Sequence, residues 1–191
     1  MKKFYLEKPN KKHQKEAIEY INEFINNNSQ IHGSGGLDRY LQTNTFEEWL
    51  IHTKNMKNKN YALACNFVPS TTYFLIREED NKIIGMIDLR HELNEYLAKI
   101  SGHIGYAIRP TERKKGYAKI QLYLCLIKAQ KLELEKVMIS CDETNIASSK
   151  TIEALGGIFE REEYDKEKNR TVRVYWINVN ESIEKYEYLI K

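Results

Sequence analysis

Residues 109–130 read RPTERKKGYAKIQLYLCLIKAQ, a basic turn followed by a long apolar run. Four basic side chains fall within its first seven residues, Gly116 follows them, and a long apolar run with helical spacing comes next. Free backbone N–H groups and the dipole at a helix start attract anions, and a glycine there lets an anion approach the backbone. Because the charge is concentrated on one turn, the stretch indicates a compact polyanion site, with a solvated basic loop as the alternative.

Length and composition indicate a single soluble globular domain spanning residues 1–191. The chain has 191 residues, of which 41% are hydrophobic and 30% charged. These values are typical of one globular domain of about 100–200 residues. Lys and Arg number 30 against 27 Asp and Glu, which gives a formal net charge of +3. Since no basic tail or stripe stands out, we expect no nucleic-acid partner.

Cysteine content and hydropathy predict a cytoplasmic protein without a metal site. The three cysteines, Cys65, Cys125 and Cys141, are too scattered for a disulfide framework, and none forms a CxxC pair with metal-ligand spacing. Charged residues occupy the N-terminal segment where a signal peptide has its apolar centre. No apolar run approaches the roughly 20 residues that span a bilayer, so no membrane partner is expected.

The hydrophobic pattern alternates between strand and helix periods along the chain. We predict strands at 4–6, 71–78, 82–93, 102–110, 136–141, 157–162 and 170–179. We predict helices at 13–28, 46–56, 118–131 and 148–155, the last one ended by Gly156. Consecutive strands with short connections pair antiparallel, whereas strand–helix–strand crossings place helices on both faces of a sheet. The pattern therefore predicts an α/β (α+β) fold with a mixed, mostly antiparallel central sheet of about seven strands.

The segment RKKGYA, residues 113–118, resembles the acyl-CoA signature R/Q-x-x-G-x-G/A of the GNAT superfamily of N-acetyltransferases. The strand HIGYAIRP before it, and VMISCDETN and NIASSKTIEALGG after it, follow the order of that superfamily. The resemblance runs from about residue 71 to residue 160, and RHELN with GHIGY is similar to a bacterial subgroup of predicted acetyltransferases. It implies the GNAT fold, in which the fourth and fifth strands splay apart.

The resemblance also implies that acetyl-CoA, the cosubstrate, binds in the gap between those two strands. It places the pantetheine arm along the backbone of the fourth strand and the pyrophosphate on the N–H groups of the following loop. Asn145 would contact the cofactor arm, although an Asn at that position also suits a helix N-cap. The positions implied as cofactor-binding are Tyr106, Ala107, Ile108, Arg109, Arg113, Lys114, Lys115, Gly116, Tyr117, Ala118, Asn145 and Ser148.

The same resemblance implies direct acetyl transfer to an amine, which requires a base and a hydrogen-bond donor to the thioester oxygen. His103 is the first candidate for the base, because it stands where many relatives carry Glu and because a histidine titrates near neutral pH. Its alternative is a partly exposed strand histidine. His91 and Glu92 are the second candidates. The oxygen donor would be a backbone N–H near Ala107 or Ile108.

The proton donor for the leaving thiolate departs from the family pattern. Relatives commonly carry Tyr seven residues after the Asn, but this position is Ile152. Ser148, Ser149 or a water remain as candidates, whereas Cys141 reads as a buried strand residue rather than a nucleophile.

The segment HGSGGLDRYL, residues 32–41, lies where a substrate loop is expected. Loops carry binding residues more often than other elements do. Its candidates for an acceptor pocket are His32, Asp38 and Arg39, with a purely structural role as the alternative.

The favoured function is an acetyl-CoA-dependent N-acetyltransferase acting on a primary amine of a small molecule, an amino acid or a peptide. A non-catalytic acyl-CoA-binding sensor or interaction domain is the alternative, and the apolar Ile152 motivates it. A nucleic-acid-binding module built on the basic loop is disfavoured, because its charge is local. A homodimer is compatible with pairing through the last strand or the sheet edge.

Overall fold

The computed structural model describes residues 3–191, so the first two positions of the predicted domain lie outside it. Over these residues the chain forms seven strands and seven α-helices. The strands are β1 (Phe4–Glu7), β2 (Ser70–Arg77), β3 (Lys82–Arg90), β4 (Ile104–Ile108), β5 (Lys136–Asp142), β6 (Ile158–Asp165) and β7 (Arg170–Asn178). The helices are α1 (Gln14–Asn26), α2 (Leu37–Tyr40), α3 (Phe46–Asn55), α4 (Lys59–Ala64), α5 (Tyr117–Gln130), α6 (Ile146–Glu153) and α7 (Val179–Tyr186).

Every predicted strand and helix has a counterpart, and three helices were not predicted. Of these, α2 and α4 span only four and six residues, too short for a clear periodic signal. The third, α7, has a readable start: the Asn178 side chain accepts the Glu181 N–H as an N-cap, and Val179 and Ser182 are buried on one face. The signal available in the sequence is the apolar pair Val179 and Ile183, four positions apart, both of which contact the core.

The seven strands form two sheets, with the order β1-β2-β3-β4 in one and β5-β7-β6 in the other. All neighbours within each sheet are antiparallel. The helix α5 carries the chain from β4, the edge of the first sheet, to β5, the edge of the second. Among residues 3–191, the backbones of these two edges are bridged only beside the start of β4, where Gly102 pairs with Ile139. The predicted splaying of the fourth and fifth strands is therefore confirmed. It divides the predicted single sheet into two.

Helices cover both faces of the first sheet, as predicted. On one face, α5 packs against β1, β3 and β4, and the core on this side includes the fully buried residues Leu122, Leu126 and Ile139. On the other face, α1 and α3 pack through residues such as Phe24 and Trp49. Apolar burial of this kind is the main stabilising contribution to the fold. Within the described part of the chain, no helix combines the length and apolar character that a bilayer crossing requires.

Candidate functional site

A gap opens between β4 and β5 beyond one contact, which joins His103, the residue directly before β4, to Met138, the third residue of β5. The His103 N–H donates to the Met138 carbonyl at 2.7 Å, and the Met138 N–H donates to His103 Nδ1 at 2.9 Å. We call this two-bond contact the His103 latch. Beyond it, across residues 3–191, no hydrogen bond joins the residues of β4 to those of β5. The strands therefore diverge from the latch toward the basic loop.

Register decides which β4 residues face the gap. The Arg90 N–H donates to the His103 carbonyl, and the Arg109 N–H donates to the Ile84 carbonyl, each at 2.8 Å. Backbone groups alternate in direction along an antiparallel pair, so every second residue from His103 to Arg109 pairs with β3. Tyr106 and Ile108 fall between these pairs and turn their backbone groups toward the gap. They offer the extended edge on which another chain-like group can hydrogen-bond.

The backbones of Ala107 and Arg109 point away from the gap, which corrects the prediction that both present them to a cofactor. Ala107 pairs with β3, and its carbonyl also accepts the Tyr20 hydroxyl at 3.1 Å. The Arg109 guanidinium is buried and pairs with Glu16 at 3.0 Å and Glu23 at 3.3 Å. Arg109 therefore fastens α1 to the sheet.

The loop after β4 presents a row of free donors. The Arg113 N–H reaches the Pro110 carbonyl, and the Lys119 N–H reaches the Gly116 carbonyl. The five N–H groups between them, from Lys114 to Ala118, donate to no acceptor in the described chain. Lys114 and Gly116 both have positive φ, 61° and 82°, a geometry that turns successive N–H groups into an anion-binding concavity.

The space in front of this concavity is open. A Cβ added to Gly116 would meet no atom within 4 Å. No packed neighbour therefore requires glycine at this position, and the absence of a side chain leaves the backbone accessible. Tyr117 and Ala118 supply the first free N–H groups of α5, where the helix dipole favours negative charge. The loop residues therefore fit a pyrophosphate, and the neighbouring β4 edge fits the amide-bearing arm attached to it.

The basic side chains beside the loop differ in availability. Arg113 donates through Nε to the Ile108 carbonyl at 3.1 Å, so it supports the loop from behind. Lys115 pairs at 2.9 Å with Glu112, a buried carboxylate. Lys114 has no ion pair in the described chain and is exposed. Of the three predicted cations, Lys114 alone has neither an ion pair nor a hydrogen bond among the described residues, so its ammonium group is free to meet an anion.

His103, the first candidate for the base, has its Nδ1 lone pair occupied by the latch. This contact places the ring proton of the neutral form on Nε2. Burial, reinforced by the positive charge of Arg90, lowers the pKa of His103 to about 4. The ring is buried and faces the edge of Trp176. Accepting a proton from a substrate would therefore require breaking the latch.

His91 and Glu92, the second candidates, lie at the end of β3 near the closed end of the gap. His91 Nε2 and Thr71 Oγ1 are 2.9 Å apart, and burial lowers the pKa of His91. Glu92 pairs with Lys59 at 2.8 Å. His91 contacts β2 and Glu92 contacts α4, so the structure does not bring either side chain to the open part of the gap.

The first turn of α6 faces β4 across the gap. The Asn145 side chain accepts the Ser148 N–H at 3.1 Å, so the N-cap role considered for Asn145 is present, with its amide nitrogen still free. Ser148 Oγ lies 2.9 Å from the Tyr106 hydroxyl. Ile152 is fully buried and offers nothing to the gap.

Cys141 is buried near the end of β5, as predicted. Its Sγ lies 3.2 Å from Ser149 Oγ, and burial raises the pKa of the Cys141 thiol. A buried, protonated thiol is a poor nucleophile. Among the described residues no group of three His, Cys, Asp or Glu side chains is arranged to hold a metal ion.

The loop between α1 and α2 packs against β4 at Gly105. A Cβ on Gly33 would come within 2.1 Å of the Gly105 carbonyl oxygen, so this close approach requires glycine. The Trp49 Nε1 donates to the Gly35 carbonyl at 2.9 Å and anchors the loop to α3. The loop therefore stands directly above the β4 residue that precedes Tyr106.

His32 differs from the other histidines of the chain. Each of the other four has a ring nitrogen within hydrogen-bond distance of a partner: His13, His52, His91 and His103. His32 has no such partner in the described chain. Its pKa is lowered, first by desolvation of the imidazole and then by the charges of Arg170 and Lys168, with Asp38 and Asp142 acting in the opposite direction. His32 is therefore a neutral, available imidazole beside the end of β5.

Comparison with known proteins identifies the family of the chain and proteins of the same fold. Residues 36–158, more than half of the chain, match the family model described as an acetyltransferase (GNAT) domain. No curated protein matches the sequence. The solved structures of similar fold include RimL, a ribosomal L7/L12 alpha-N-protein acetyltransferase in complex with coenzyme A, at 16% identity and a TM-score of 0.62, covering 93% of this chain and 96% of that one.

Two further structures are similar over nearly the whole chain. A spermidine N-acetyltransferase chimera from Vibrio cholerae and hSSAT has 14% identity and a TM-score of 0.60, covering 95% of this chain and 99% of that one. The microcin C7 self-immunity acetyltransferase MccE, in complex with acetyl-CoA and AMP, has 16% identity and a TM-score of 0.63, with 91% of each chain covered. At these identities the likeness shows a common fold.

Proposed function

The chain belongs to the GNAT acetyltransferase family, and from that premise we propose that it transfers an acetyl group from acetyl-CoA to a primary amine of a small molecule, an amino acid or a peptide. The observation that carries the proposal is the row of five free N–H groups, Lys114 to Ala118, next to the unpaired edge of β4. The similar structures include enzymes named for spermidine and for a ribosomal protein, which supports an amine acceptor without selecting one.

The cofactor site is assigned to the loop and the β4 edge together. The N–H groups of Lys114 to Ala118 would hold the pyrophosphate, with Lys114 adding charge. Ile108 and then Tyr106 would hydrogen-bond the pantetheine arm as it runs from the loop toward the His103 latch. When bound, acetyl-CoA supplies an acetyl thioester whose carbonyl carbon accepts the amine.

From the order of these proposed contacts we expect the acetyl end at Tyr106 rather than at Ile108. The arm starts at the loop, so its far end lies deeper along β4. The Tyr106 N–H faces the gap, whereas the Ala107 N–H pairs with β3. We therefore assign stabilisation of the thioester oxygen to the Tyr106 N–H, a fixed backbone donor of the kind that contributes most to acyl transfer.

The base is assigned to His32 in place of His103. The amine must lose a proton to attack, and an imidazole that is neutral near pH 7 is suited to accept it. His32 has free ring nitrogens and precedes Gly33, which contacts Gly105 on β4. His103 keeps the narrow end of the gap closed through the latch.

An acceptor screen tests the proposed function. Acetyl-CoA at one hundred times its dissociation constant should raise the melting temperature of a protein of this size by roughly 5–10 °C. The release of CoA should then depend on an added primary amine. The control is Gly116→Glu, whose carboxylate would occupy the pyrophosphate site and abolish both effects. Thermal stabilisation without release across a broad amine panel would contradict the enzyme and favour the acyl-CoA sensor.

The cytoplasm remains the proposed location. Cys65, Cys125 and Cys141 are all free thiols, and free buried thiols persist most readily in a reducing compartment.

A further inference from the structure

We propose that Arg90 binds a carboxylate of the acceptor, so that the acceptor is a primary amine with a carboxylate a few bonds away. A free amino acid has this chemistry, and so does a peptide that begins with Asp or Glu. The inference rests on the proposed function and deepens it, because it names the class of amine. It also gives a role to the first residue of the segment RHELN, which the proposed cofactor site does not use.

Arg90 lacks the counter-ion that comparable arginines of the chain have. Among residues 3–191, six arginines are buried or half-buried, and five of them pair with a carboxylate. These five are Arg77, Arg109, Arg161, Arg170 and Arg173. Arg90 is the sixth, and no carboxylate of the described residues pairs with it. A charge withdrawn from water without a partner is unfavourable, so an anionic ligand would stabilise Arg90.

Most donors of the Arg90 guanidinium are free. Its Nη1 donates to the Gly102 carbonyl at 2.7 Å, which fixes the orientation of the group. The described residues provide no acceptor for its remaining N–H groups. A guanidinium has five donors in a planar fork, and two parallel donors match the two oxygens of a carboxylate. Arg90 can therefore hold the Gly102 carbonyl and a carboxylate at the same time.

The Arg90 guanidinium lies on the side of β4 that faces the loop between α1 and α2. Side chains two residues apart on a strand share a face, so Arg90 projects from the same face of β3 as Met86, which packs in the core formed with α1 and α3. A Cβ built on Gly105 would be 3.5 Å from the Gly33 nitrogen and 4.0 Å from Arg90 Nη2. The guanidinium therefore stands beside the loop that the sequence indicates as the acceptor loop.

This position is next to the proposed reaction centre. Gly105 directly precedes Tyr106, whose N–H is assigned to the thioester oxygen. Successive Cα atoms are about 3.8 Å apart, so a carboxylate on Arg90 and an amine attacking beside Tyr106 are separated by roughly the length of a small amino acid. His32, the proposed base, directly precedes Gly33, which contacts Gly105.

The acids of this region are occupied by hydroxyl groups and leave Arg90 unpaired. Three carboxylates each accept a hydroxyl: Asp38 from Ser34 at 2.6 Å, Asp88 from Thr72 at 2.8 Å and Asp142 from Thr144 at 2.6 Å. None of the three forms an ion pair with Arg90 among the described residues. The region therefore offers a cation for the carboxylate of an amino acid, and its acids suit the ammonium group before the proton leaves.

The test compares each amino acid with its uncharged amide as the acceptor, with free-thiol release as the readout. For the preferred amino acid, kcat/KM of the wild type should exceed that of the matching amide by about tenfold to a hundredfold, the usual effect of a hydrogen bond between charged groups. Arg90→Gln should bring this ratio close to one while turnover of the amide stays nearly unchanged. An unchanged ratio would overturn the inference. An equal loss with both acceptors would also overturn it, since it would show a structural role through Gly102.

Two kinds of peptide distinguish the sources of the carboxylate. A dipeptide amide that begins with Asp is compared with one that begins with Asn. Preference for the Asp peptide would assign the carboxylate to a peptide side chain, and preference confined to free amino acids would assign it to the α-carboxylate. Either result supports the inference. A wild type that prefers amides or polyamines such as spermidine would overturn it.

Arg173→Gln is the matched control. Arg173 is also half-buried, but it pairs with Glu162 at 3.2 Å in the second sheet. Its loss should leave the ratio of amino acid to amide unchanged, and a fall equal to that of Arg90→Gln would overturn the inference. Arg90→Lys serves if Arg90→Gln fails to fold, because it keeps the charge and one donor for the Gly102 carbonyl. It should lower the ratio severalfold, since the paired donors are lost, and an unchanged ratio would contradict the role of Arg90.

A binding measurement separates this inference from the proposed function. N-acetyl amino acids and their amides are titrated calorimetrically into the protein in the presence of CoA, which requires no turnover. Tighter binding of the acids, lost in Arg90→Gln, would support the inference even if no amine is acetylated. Absence of acetylation with every amine would overturn the proposed function alone. Acetylation without any difference between acids and amides would overturn this inference alone.

Discussion

Replacing His103 with asparagine tests whether this residue closes the gap or performs proton transfer. The Oδ1 of asparagine occupies nearly the position of Nδ1, so it can still accept the Met138 N–H, but it does not titrate. The latch interpretation therefore predicts that His103→Asn folds, retains most turnover, and loses the pH sensitivity that the histidine confers on stability.

The magnitude follows from the pKa of His103, which is about 4 in the folded protein against an ordinary value of 6.5. Because the folded value is depressed, the unfolded chain binds the proton first, and stability falls as pH drops from 6.5 toward 4. Between about pH 7.5 and about pH 5 this single group should cost the wild type about 2 kcal/mol of unfolding free energy. The other histidines contribute equally to both proteins.

Urea unfolding at both pH values measures this difference. His103→Asn should lose about 2 kcal/mol less than the wild type on acidification. His103→Ala is the contrasting variant, since it leaves the buried Met138 N–H without an acceptor and should lose about 1–3 kcal/mol already at neutral pH. Parallel pH profiles for wild type and His103→Asn, with turnover abolished in the latter, would refute the latch and restore His103 as the base.

Three further variants test the cofactor site. Lys114→Asn keeps a residue that tolerates positive φ and removes the loop cation that has neither an ion pair nor a hydrogen bond among the described residues. Calorimetry should therefore show CoA affinity reduced about two- to fivefold, with a shallower salt dependence. Gly116→Ala should lower CoA affinity further and cost about 1–2 kcal/mol of stability, because φ is 82° there; unaltered affinity would count against the pyrophosphate placement. Arg109→Met removes the cation that pairs with Glu16 and Glu23, so it should destabilise the fold by about 3–5 kcal/mol. The CoA affinity of the folded fraction should not change. Selective loss of CoA binding would return Arg109 to the cofactor site.

The loop around Gly116 could be predicted from sequence because its chemistry is local. A strand end, a basic turn, a glycine and a helix start follow one another within a few residues. The free N–H groups at a helix start then follow from helix geometry alone. The predicted pyrophosphate cradle and the observed row of donors therefore coincide in position.

The gap-facing residues of β4 could not be chosen from sequence, because their direction depends on pairing with β3. A shift of one residue in the register reverses the direction of every residue in a strand. The register is what distinguishes Tyr106 and Ile108, which face the gap, from Ala107 and Arg109, which do not. The partner of His103 is likewise remote in sequence, since the whole of α5 separates Met138 from His103 along the chain. Whether a histidine is free, as His32 is, or occupied, as His103 is, depends on such long-range contacts.

The acetyltransferase activity is tested most directly by the rate of free-thiol release from acetyl-CoA in the presence of a panel of primary amines. We expect release that depends on the amine and disappears in Gly116→Glu. Release that is absent with every amine, although acetyl-CoA binds, would contradict the claim that this chain is an acetyltransferase.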